Sequence, residues 1–246
     1  MTSELLALCC AASDPVELAR FWAAVLDAEL VEDDGHETGG VALLPADDPG
    51  FRIRFLRTTE PKAGPNRLHL DVTSTSLDDQ AARVAKALDL GASHLDVGQE
   101  PDAQHVVLAD PEGNEFCVIE PDNAFLAGCG LIGALSCDGS QQVGHFWSEA
   151  LGWPLVWDQD QETAIQAPRG GPKITWGGSS PRPRVGVERV HLDLVAAGGD
   201  HAAELERLLA LGARRAGAAG NGAHVLLDPD GGEFCVGLSY PASPVR

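Results

Sequence analysis

The sequence predicts an α+β fold of two tandem halves, each a pair of βαβββ modules whose strands form a curved, cup-like sheet with the helices outside. The stretch DPEGNEFCVIE at Asp110 returns as DPDGGEFCVGL at Asp228, and RLHLDV at Arg67 returns as RVHLDL at Arg189. These pairs keep the same order along the chain, which indicates an internal duplication. Within each half, a first strand, a helix and three further strands occur twice. We assign residues 1–122 to a first domain and 129–241 to a second.

The first module begins with an apolar run from Leu5 to Ala12, which suits a buried strand. Ser13-Asp14-Pro15 then provides an N-cap and a first-turn proline for a helix that reaches Leu26. Strand patterns follow at Glu29 to Glu32, Val41 to Leu44 and Phe51 to Arg57. The resulting order is βαβββ.

The second module repeats this order. Arg67 to Thr73 predicts a strand, and Leu77 to Leu90 predicts a helix that ends at Gly91. Further strands are predicted at His94 to Val97, His105 to Leu108 and Glu115 to Ile119. The second half follows suit, with helices near Val143 to Leu151 and His201 to Leu211. The chain therefore holds four modules, paired two by two.

Composition excludes several classes of function. The chain has 37 acidic and 17 basic residues and a net charge of -20, which repels phosphate backbones and anionic membranes. No apolar run approaches the roughly 18 residues of a bilayer span, and the N-terminus lacks the basic start of a secretion signal. The six cysteines form no C-x-x-C pair, so reduced thiols are expected. We expect a cytoplasmic protein that binds neither nucleic acid nor membrane.

The alternation of strand side chains predicts which residues face the cups. Leu68, Leu70 and Val72 share one face of their strand and are expected to pack under a helix, so the residues between them face the other way. The same reasoning applies to the last strand of the module and to the second half. The predicted cup-facing residues are Arg67, His69, Asp71, Glu115 and Cys117, and then Arg189, His191, Asp193, Glu233 and Cys235. Imidazole, carboxylate and thiol groups are all possible metal ligands.

The joint order of strand, helix, HLD and DPxGxEFC resembles the vicinal oxygen chelate superfamily, the group of glyoxalase I, extradiol dioxygenases and bleomycin- or fosfomycin-resistance proteins. PKAGPNRLHLDV from Pro61 and ADPEGNEFCV from Ala109 are similar to its glyoxalase-like domains. The resemblance covers nearly the whole chain, twice. It implies two tandem glyoxalase-like domains, each with a ligand site inside a cup.

The resemblance implies metal ligands on the first and last strands of each module, a His early and a Glu late. His69 and His191 fall on first-strand positions, but Cys117 and Cys235 stand where the late Glu is expected. The opening strands of both halves contain neither His nor Gln. We therefore expect no complete metal site and no cofactor. The alternative is a divalent ion held by His69, Glu115, His191 and Glu233.

The first half carries two arginines that favour an anionic ligand. Arg52 and Arg54 share one face of their strand, and with Arg67 they suit a carboxylate or phosphate if that face lines the first cup. Equally, they would neutralise Asp71 and Glu115 nearby. On this reasoning the first cup is the better anion site, and Arg54 contributes little to the core.

The second half differs at the matching strand, Lys173 to Trp176, which keeps one cation. Trp153, Trp157 and Trp176 cluster there and suggest an aromatic pocket, although Trp is also ordinary core material. Cys117 and Cys235 are expected to be small buried apolar residues and not nucleophiles.

The leading hypothesis is a binding protein, or an enzyme without a metal, that holds a small and anionic or aromatic molecule in one cup. One alternative is a metal-dependent lyase, isomerase or dioxygenase of the glyoxalase type, with Glu115 or Glu233 as the catalytic base. Another is an antibiotic-sequestering resistance protein, because an acidic, aromatic cup suits a cationic drug. A tandem chain provides internally the contact for which single-repeat relatives would dimerise, so a monomer or a weak homodimer is expected.

Overall fold

The computed structural model describes residues 2–33, 40–44, 50–178, 186, 188–219 and 222–237. Over these ranges the βαβββ order occurs four times. Module 1 contains β1 (Ser3–Ala12), α1 (Pro15–Val25), β2 (Glu29–Asp33), β3 (Gly40–Leu44) and β4 (Arg52–Arg57). Module 2 contains β5 (Leu68–Val72), α2 (Leu77–Asp89), β6 (Ser93–His94), β7 (Val106–Ala109) and β8 (Glu115–Val118).

A 3₁₀ turn (Ala124–Leu126) joins the halves. Module 3 contains β9 (Ile132–Asp138), α3 (Gln141–Leu151), β10 (Leu155–Gln159), β11 (Glu162–Gln166) and β12 (Lys173–Gly177). Module 4 contains β13 (Val190–Ala196), α4 (His201–Leu211), β14 (Arg214–Ala218), β15 (His224–Leu227) and β16 (Glu233–Gly237). The α+β class and the four modules are confirmed.

Local sequence fixes where the helices begin. The side chains of Asp14, Ser76 and Asp200 each accept a hydrogen bond from the backbone three residues further on, which satisfies a free N–H of the first turn. Pro15 takes the first helical position after Asp14, as the sequence predicts. No helix among the described residues has the length and apolarity to cross a bilayer.

The two curved sheets do not follow the two halves. One sheet has the order β14-β15-β16-β13-β1-β4-β3-β2, and the other has β10-β11-β12-β9-β5-β8-β7-β6. Modules 1 and 4 therefore share a sheet, and so do modules 2 and 3. The prediction that each half builds its own cup needs this correction. We call the concave face of the first sheet cup A and that of the second sheet cup B.

The first strands of the modules join each sheet at its centre. β1 pairs antiparallel with β13, placing Cys9 opposite His191, and β5 pairs antiparallel with β9, placing His69 opposite Ser136. Because opposite residues share a face of a sheet, each pair brings side chains from the two halves of the chain into one cup.

The helices pack in a core that joins the two sheets. Trp22 of α1 lies edge-on to Phe116 of the other sheet, with ring centroids 5.0 Å apart, and Trp147 of α3 makes the matching 5.0 Å contact with Phe234. Edge-to-face contacts of this kind stabilise aromatic cores. These helix contacts therefore stay within each half, whereas each sheet pairs modules from opposite halves.

The repeated DPxG segments are turns that hold these tryptophans. Asp110 accepts hydrogen bonds from the backbone of Glu112 and Asn114 and, at 3.1 Å, from Trp22 Nε1. Asp228 does the same for its own turn and for Trp147. The glycine of each motif has a φ near +82°, which favours residues without a Cβ. The structural interpretation of the repeated motif is confirmed.

Candidate functional site

Each cup contains one compact cluster of polar side chains. In cup A the cluster is Cys9, His191 and Asp193, and in cup B it is His69, Asp71 and Cys117. Within each cluster one ligand-type atom of every residue lies within 4.8 Å of the others. The strand registers produce both clusters: the antiparallel pairing of β1 with β13 places Cys9 opposite His191, and the parallel pairing of β5 with β8 places Cys117 beside Asp71.

In cup A the carboxylate of Asp193 is the centre of the cluster. It accepts a hydrogen bond from Cys9 Sγ at 2.9 Å and from Arg54 Nη1 at 3.1 Å. Its other oxygen lies 3.4 Å from His191 Nε2. Arg54 is only 1% exposed, so this ion pair is buried. Arg54 lies on the cup side of its strand, but it pairs with Asp193 of the opposite half and is buried, so the prediction that it contributes little to the core is corrected.

The charges in cup A follow from these contacts. Burial alone would lower the pKa of His191, but its interactions with Asp193, Cys235 and Cys9 outweigh burial and hold this pKa well above 6.5. Burial and the nearby Asp193 raise the pKa of the Cys9 thiol to about 12. At neutral pH the cluster therefore contains an imidazolium, a carboxylate and a neutral thiol beside the Arg54 guanidinium.

Cup B has the same arrangement of histidine and aspartate, but the residues next to them are smaller and uncharged. His69 Nε2 lies 3.4 Å from Asp71, and Ser136 donates a 2.6 Å hydrogen bond to the same carboxylate. Burial lowers the pKa of His69, but hydrogen bonds to Asp71 and Cys117 prevail and raise the pKa to about 10. By register, Ser136 and Thr175 occupy the positions that Cys9 and Arg54 hold in cup A. The two cups have therefore diverged at these two positions.

Cup A contains a cavity of about 160 Å³. Its polar wall includes His191, Asp193, Glu233 and Cys235, and its apolar wall includes Leu6, Leu56, Ala219, Ala223 and Val225. The Nδ1 atom of His191 is buried and has no hydrogen-bond partner among the described residues. A buried imidazole nitrogen next to a cavity is placed to form a hydrogen bond with a group bound there.

Cup B is filled by the chain itself. Leu126 of the 3₁₀ turn packs on Val107, Cys117 and Ala134, three residues that line the concave face, and Phe125 packs against the same group. The side chain of Lys173 reaches over this turn, where Nζ donates to the carbonyl of Phe125.

Arg67 and Arg189 are placed differently from the prediction, which had them in the cups. Arg67 donates to the carbonyl of Asp230 at 3.2 Å, and Arg189 donates to the carbonyl of Ala11 at 2.8 Å and lies 3.3 Å from Glu112. Each arginine just precedes its strand, outside the alternating stretch. Both therefore link the two halves and do not join the polar clusters.

Glu115 is also engaged elsewhere. It forms a 2.9 Å ion pair with Lys62 and accepts a 3.1 Å hydrogen bond from the backbone of Asn66. Neither Glu115 nor Glu233 belongs to the clusters that gather around His69 and His191. The alternative of a metal site with Glu115 and Glu233 as ligands is therefore corrected, because Asp71 and Asp193 supply the carboxylates of the two clusters. Glu233 does line the cavity of cup A.

Trp176 lies on the helix side of its sheet, 3% exposed and stacked on Trp147 with centroids 6.1 Å apart. Strand alternation explains this position, because Trp176 shares the face of Ile174, which is fully buried in the core. Its assignment to ligand binding in a cup is corrected, and the aromatic pocket that favoured a cationic drug loses its main residue.

Sequence reasoning missed Cys9, Ser136 and Phe125. Cys9 lies between Leu8 and Cys10, which face the core, so strand alternation alone places it in a cup. Ser136 follows from the same rule. Phe125 has no periodic signal, because it belongs to a three-residue turn.

The two clusters differ in how well they fit the divalent metal that the superfamily resemblance implies. In cup A the Arg54 guanidinium already contacts the carboxylate of Asp193, so a cation bound there would face a buried positive charge at close range. That site does not fit a divalent ion. In cup B no Arg or Lys of the described residues forms an ion pair with Asp71, and an imidazole, a carboxylate and a thiol converge. Three such ligands fit a zinc-like ion.

Comparison with known proteins agrees with the repeated modules. A family model described as a glyoxalase-like domain matches residues 7–119 and 134–237. Glyoxalase I from Zea mays superposes with a TM-score of 0.66 at 14% sequence identity, covering 96% of this chain and 92% of the maize chain. A proposed dioxygenase from Bacillus subtilis gives a TM-score of 0.63 at 14% identity, covering 97% and 86% of the respective chains. At this identity the likeness concerns the fold. No curated protein matches the sequence.

Proposed function

Since the chain belongs to the glyoxalase-like domain family, we propose that it binds a small organic molecule in cup A and does so without a metal ion. The observation that carries the proposal is the cavity of about 160 Å³, whose wall joins His191, Asp193 and Cys235 to aliphatic side chains. Apolar walls with a few polar groups at one end are typical of small-molecule sites, in which the polar groups orient the ligand.

The unpaired nitrogen of His191 indicates which atom the ligand contributes. Asp193 holds the imidazole in its charged form, so Nδ1 is a hydrogen-bond donor at neutral pH. A buried donor needs an acceptor, and Nδ1 has none among the described residues. A carbonyl or carboxylate oxygen of the ligand would supply it.

The local charge favours a carboxylate. Arg52 and Arg54 lie on the concave face of β4, beside the strand that pairs with the His191 strand, and Asp193 and Glu233 line the cavity. A carboxylate bound there would meet cationic side chains in a chain of net charge -20. Cationic side chains in an acidic protein favour small anions that the rest of the surface repels.

The size of the cavity argues against drug sequestration. Sites for drug-sized ligands are about 300–1,000 Å³, whereas cup A offers about 160 Å³. A short-chain keto acid, hydroxy acid or aldehyde is the class that fits both the volume and the donor.

A thermal-shift screen of short carboxylic acids and carbonyl compounds in EDTA tests the proposal, with the corresponding alcohols as controls. A compound that binds the folded state raises the melting temperature. We expect acids to raise it and the alcohols to have no effect, and we expect His191→Gln to remove the response. Failure of the whole series to stabilise the wild-type protein, or full retention of the response in His191→Gln, would contradict the proposal.

A second candidate is a metal-dependent activity of the glyoxalase type in cup B, favoured by the convergence of His69, Asp71 and Cys117. These residues would hold a divalent ion, which polarises a carbonyl or enediolate oxygen when bound. Elemental analysis of the purified protein tests it. One equivalent of metal that is lost in His69→Ala but kept in His191→Gln supports this candidate, and no bound metal in either protein contradicts it.

A further inference from the structure

The turn between the two halves fits closely into cup B. The side chain of Asn123 accepts a hydrogen bond from the backbone of Leu126, which fixes the turn. Leu126 packs against the concave face and is only 7% exposed. A Cβ at Gly133 would come within 2.7 Å of Thr73 Cγ2 and 2.8 Å of Leu126 Cδ1, so a larger residue there would force these side chains to move.

Lys173 makes two contacts with Phe125. Its Nζ donates a hydrogen bond to the Phe125 carbonyl oxygen and lies 4.5 Å from the centroid of the Phe125 ring. The same ring packs edge-on against Trp157 at 6.1 Å. One ammonium group thus recognises an oxygen and an aromatic face of the same residue.

The polar cluster of cup B is on the same concave face as this lysine. Lys173 lies in register with Ala134, which in turn lies in register with Asp71. Strands are about 4.8 Å apart, so Lys173 and Asp71 are separated by roughly 10 Å across the cup. The Phe125–Leu126 segment therefore covers a cup that keeps the imidazole, carboxylate and thiol of cup A.

The part of Phe125 that Lys173 contacts has the structure of a small organic acid derivative. The carbonyl carbon, Cα, Cβ and ring form a 3-phenylpropanoyl group. A free aromatic acid of that length offers Lys173 the same ring, and its carboxylate is a stronger acceptor than a neutral amide carbonyl. An aromatic carboxylate also suits a lysine that lies beside an aromatic residue, because the lysine binds the carboxylate and the two rings pack together.

We propose that cup B is a second binding site, closed by the Ala124–Leu126 turn, and that it takes an aromatic carboxylic acid of the 3-phenylpropanoate type in place of Phe125. This site is independent of the ligand proposed for cup A. The turn acts as an internal competitor, present at the high effective concentration of a tethered group. The intact chain therefore binds such an acid weakly in cup B.

Calorimetric titration of 3-phenylpropanoate into the wild type and Phe125→Ala tests this. Removing the ring should tighten binding at least about 10-fold, since the acid no longer has to displace the cation–π and edge-on contacts of the ring, about 1.4 kcal/mol or more. The added site should be lost in Phe125→Ala/Lys173→Met. It should also be absent with 3-phenylpropan-1-ol, which lacks the carboxylate.

Binding of the acid in cup A would be equal in the wild type and Phe125→Ala, so the difference between them reports cup B alone. Equal affinity in the two proteins, or tightening that survives Lys173→Met, would overturn the proposal. If Phe125→Ala does not fold, Phe125→Leu keeps an apolar side chain without the ring, and the same comparison applies. The cup A screen can fail while this titration succeeds, which keeps the two proposals separable.

Discussion

Replacing Arg54 with methionine should destabilise the protein strongly. Arg54 is 1% exposed, and its ion pair with Asp193 is 3.1 Å long. Removing one member of a buried pair leaves the other charge unpaired, which costs about 3–5 kcal/mol. Asp193 keeps its contacts with Cys9 and His191, so the lower end of this range, about 3 kcal/mol, is expected. For a chain of this size the melting temperature should fall by about 6 °C or more.

Urea unfolding of four proteins measures this effect: the wild type, Arg54→Met, Asp193→Asn and the double variant. The two substitutions should be non-additive by about 1–3 kcal/mol, because the double variant removes both members of the Arg54–Asp193 pair and leaves neither without the other. Arg20→Met is the matched control, since Arg20 pairs with Glu17 on the surface, where both side chains are more than half exposed. Its loss should cost less than about 1 kcal/mol.

The reasoning fails if Arg54→Met costs no more than Arg20→Met, or if the cycle shows no coupling. Either result would mean that Arg54 does not pair with Asp193 across the two halves. The shared sheet of modules 1 and 4 would then lose its main polar contact.

Three further outcomes follow from the structure. Asp110→Ala should lower the free energy of unfolding, measured in urea, by at least about 2 kcal/mol, because it leaves the Trp22 indole and two turn amides without an acceptor. A loss below about 0.5 kcal/mol would exclude this role for Asp110. His69 has a folded pKa raised to about 10, so its stabilising contribution is complete below pH 6.5 and lost towards pH 10. In EDTA, His69→Gln should therefore reduce the fall in unfolding free energy between pH 6.5 and 10, and an unchanged slope would contradict the pKa shift. Iodoacetamide at pH 7.5 should label the partly exposed Cys129 before Cys9, whose thiol pKa is about 12, as peptide mapping will show. Faster labelling of Cys9 would refute its neutral, buried state.

Much of the fold was predictable from the sequence because local patterns determine it. The strand alternation around His69 and Arg54, the N-cap at Asp14 and the DPxG turns each depend on a few neighbouring residues. The HLD strand and the DPxG turn recur in modules 2 and 4, and the βαβββ order recurs in all four, so the repeat itself identified the units.

The pairing of modules was not predictable in the same way. Each first strand presents the same apolar face whichever module it pairs with. Strand alternation is therefore satisfied equally well when modules pair within a half and when they pair across the halves. Arg54 illustrates the consequence, because its cup-facing orientation was predicted but Asp193, its partner, lies 139 residues away. Arg67 and Arg189 were misplaced because they stand just outside regular strands, where alternation no longer applies.

The most direct test of the central claim is calorimetric titration, in EDTA, of the best short acid from the screen into the wild type, His191→Gln and His69→Gln. Cup A and His191 are proposed to bind this ligand without metal, so the wild type and His69→Gln should bind one equivalent with similar affinity. Binding to His191→Gln should be at least about 10-fold weaker, as expected for the loss of a hydrogen bond to a charged group. Loss of binding in His69→Gln with retention in His191→Gln, or no binding by the wild type until a divalent ion is added, would contradict the account.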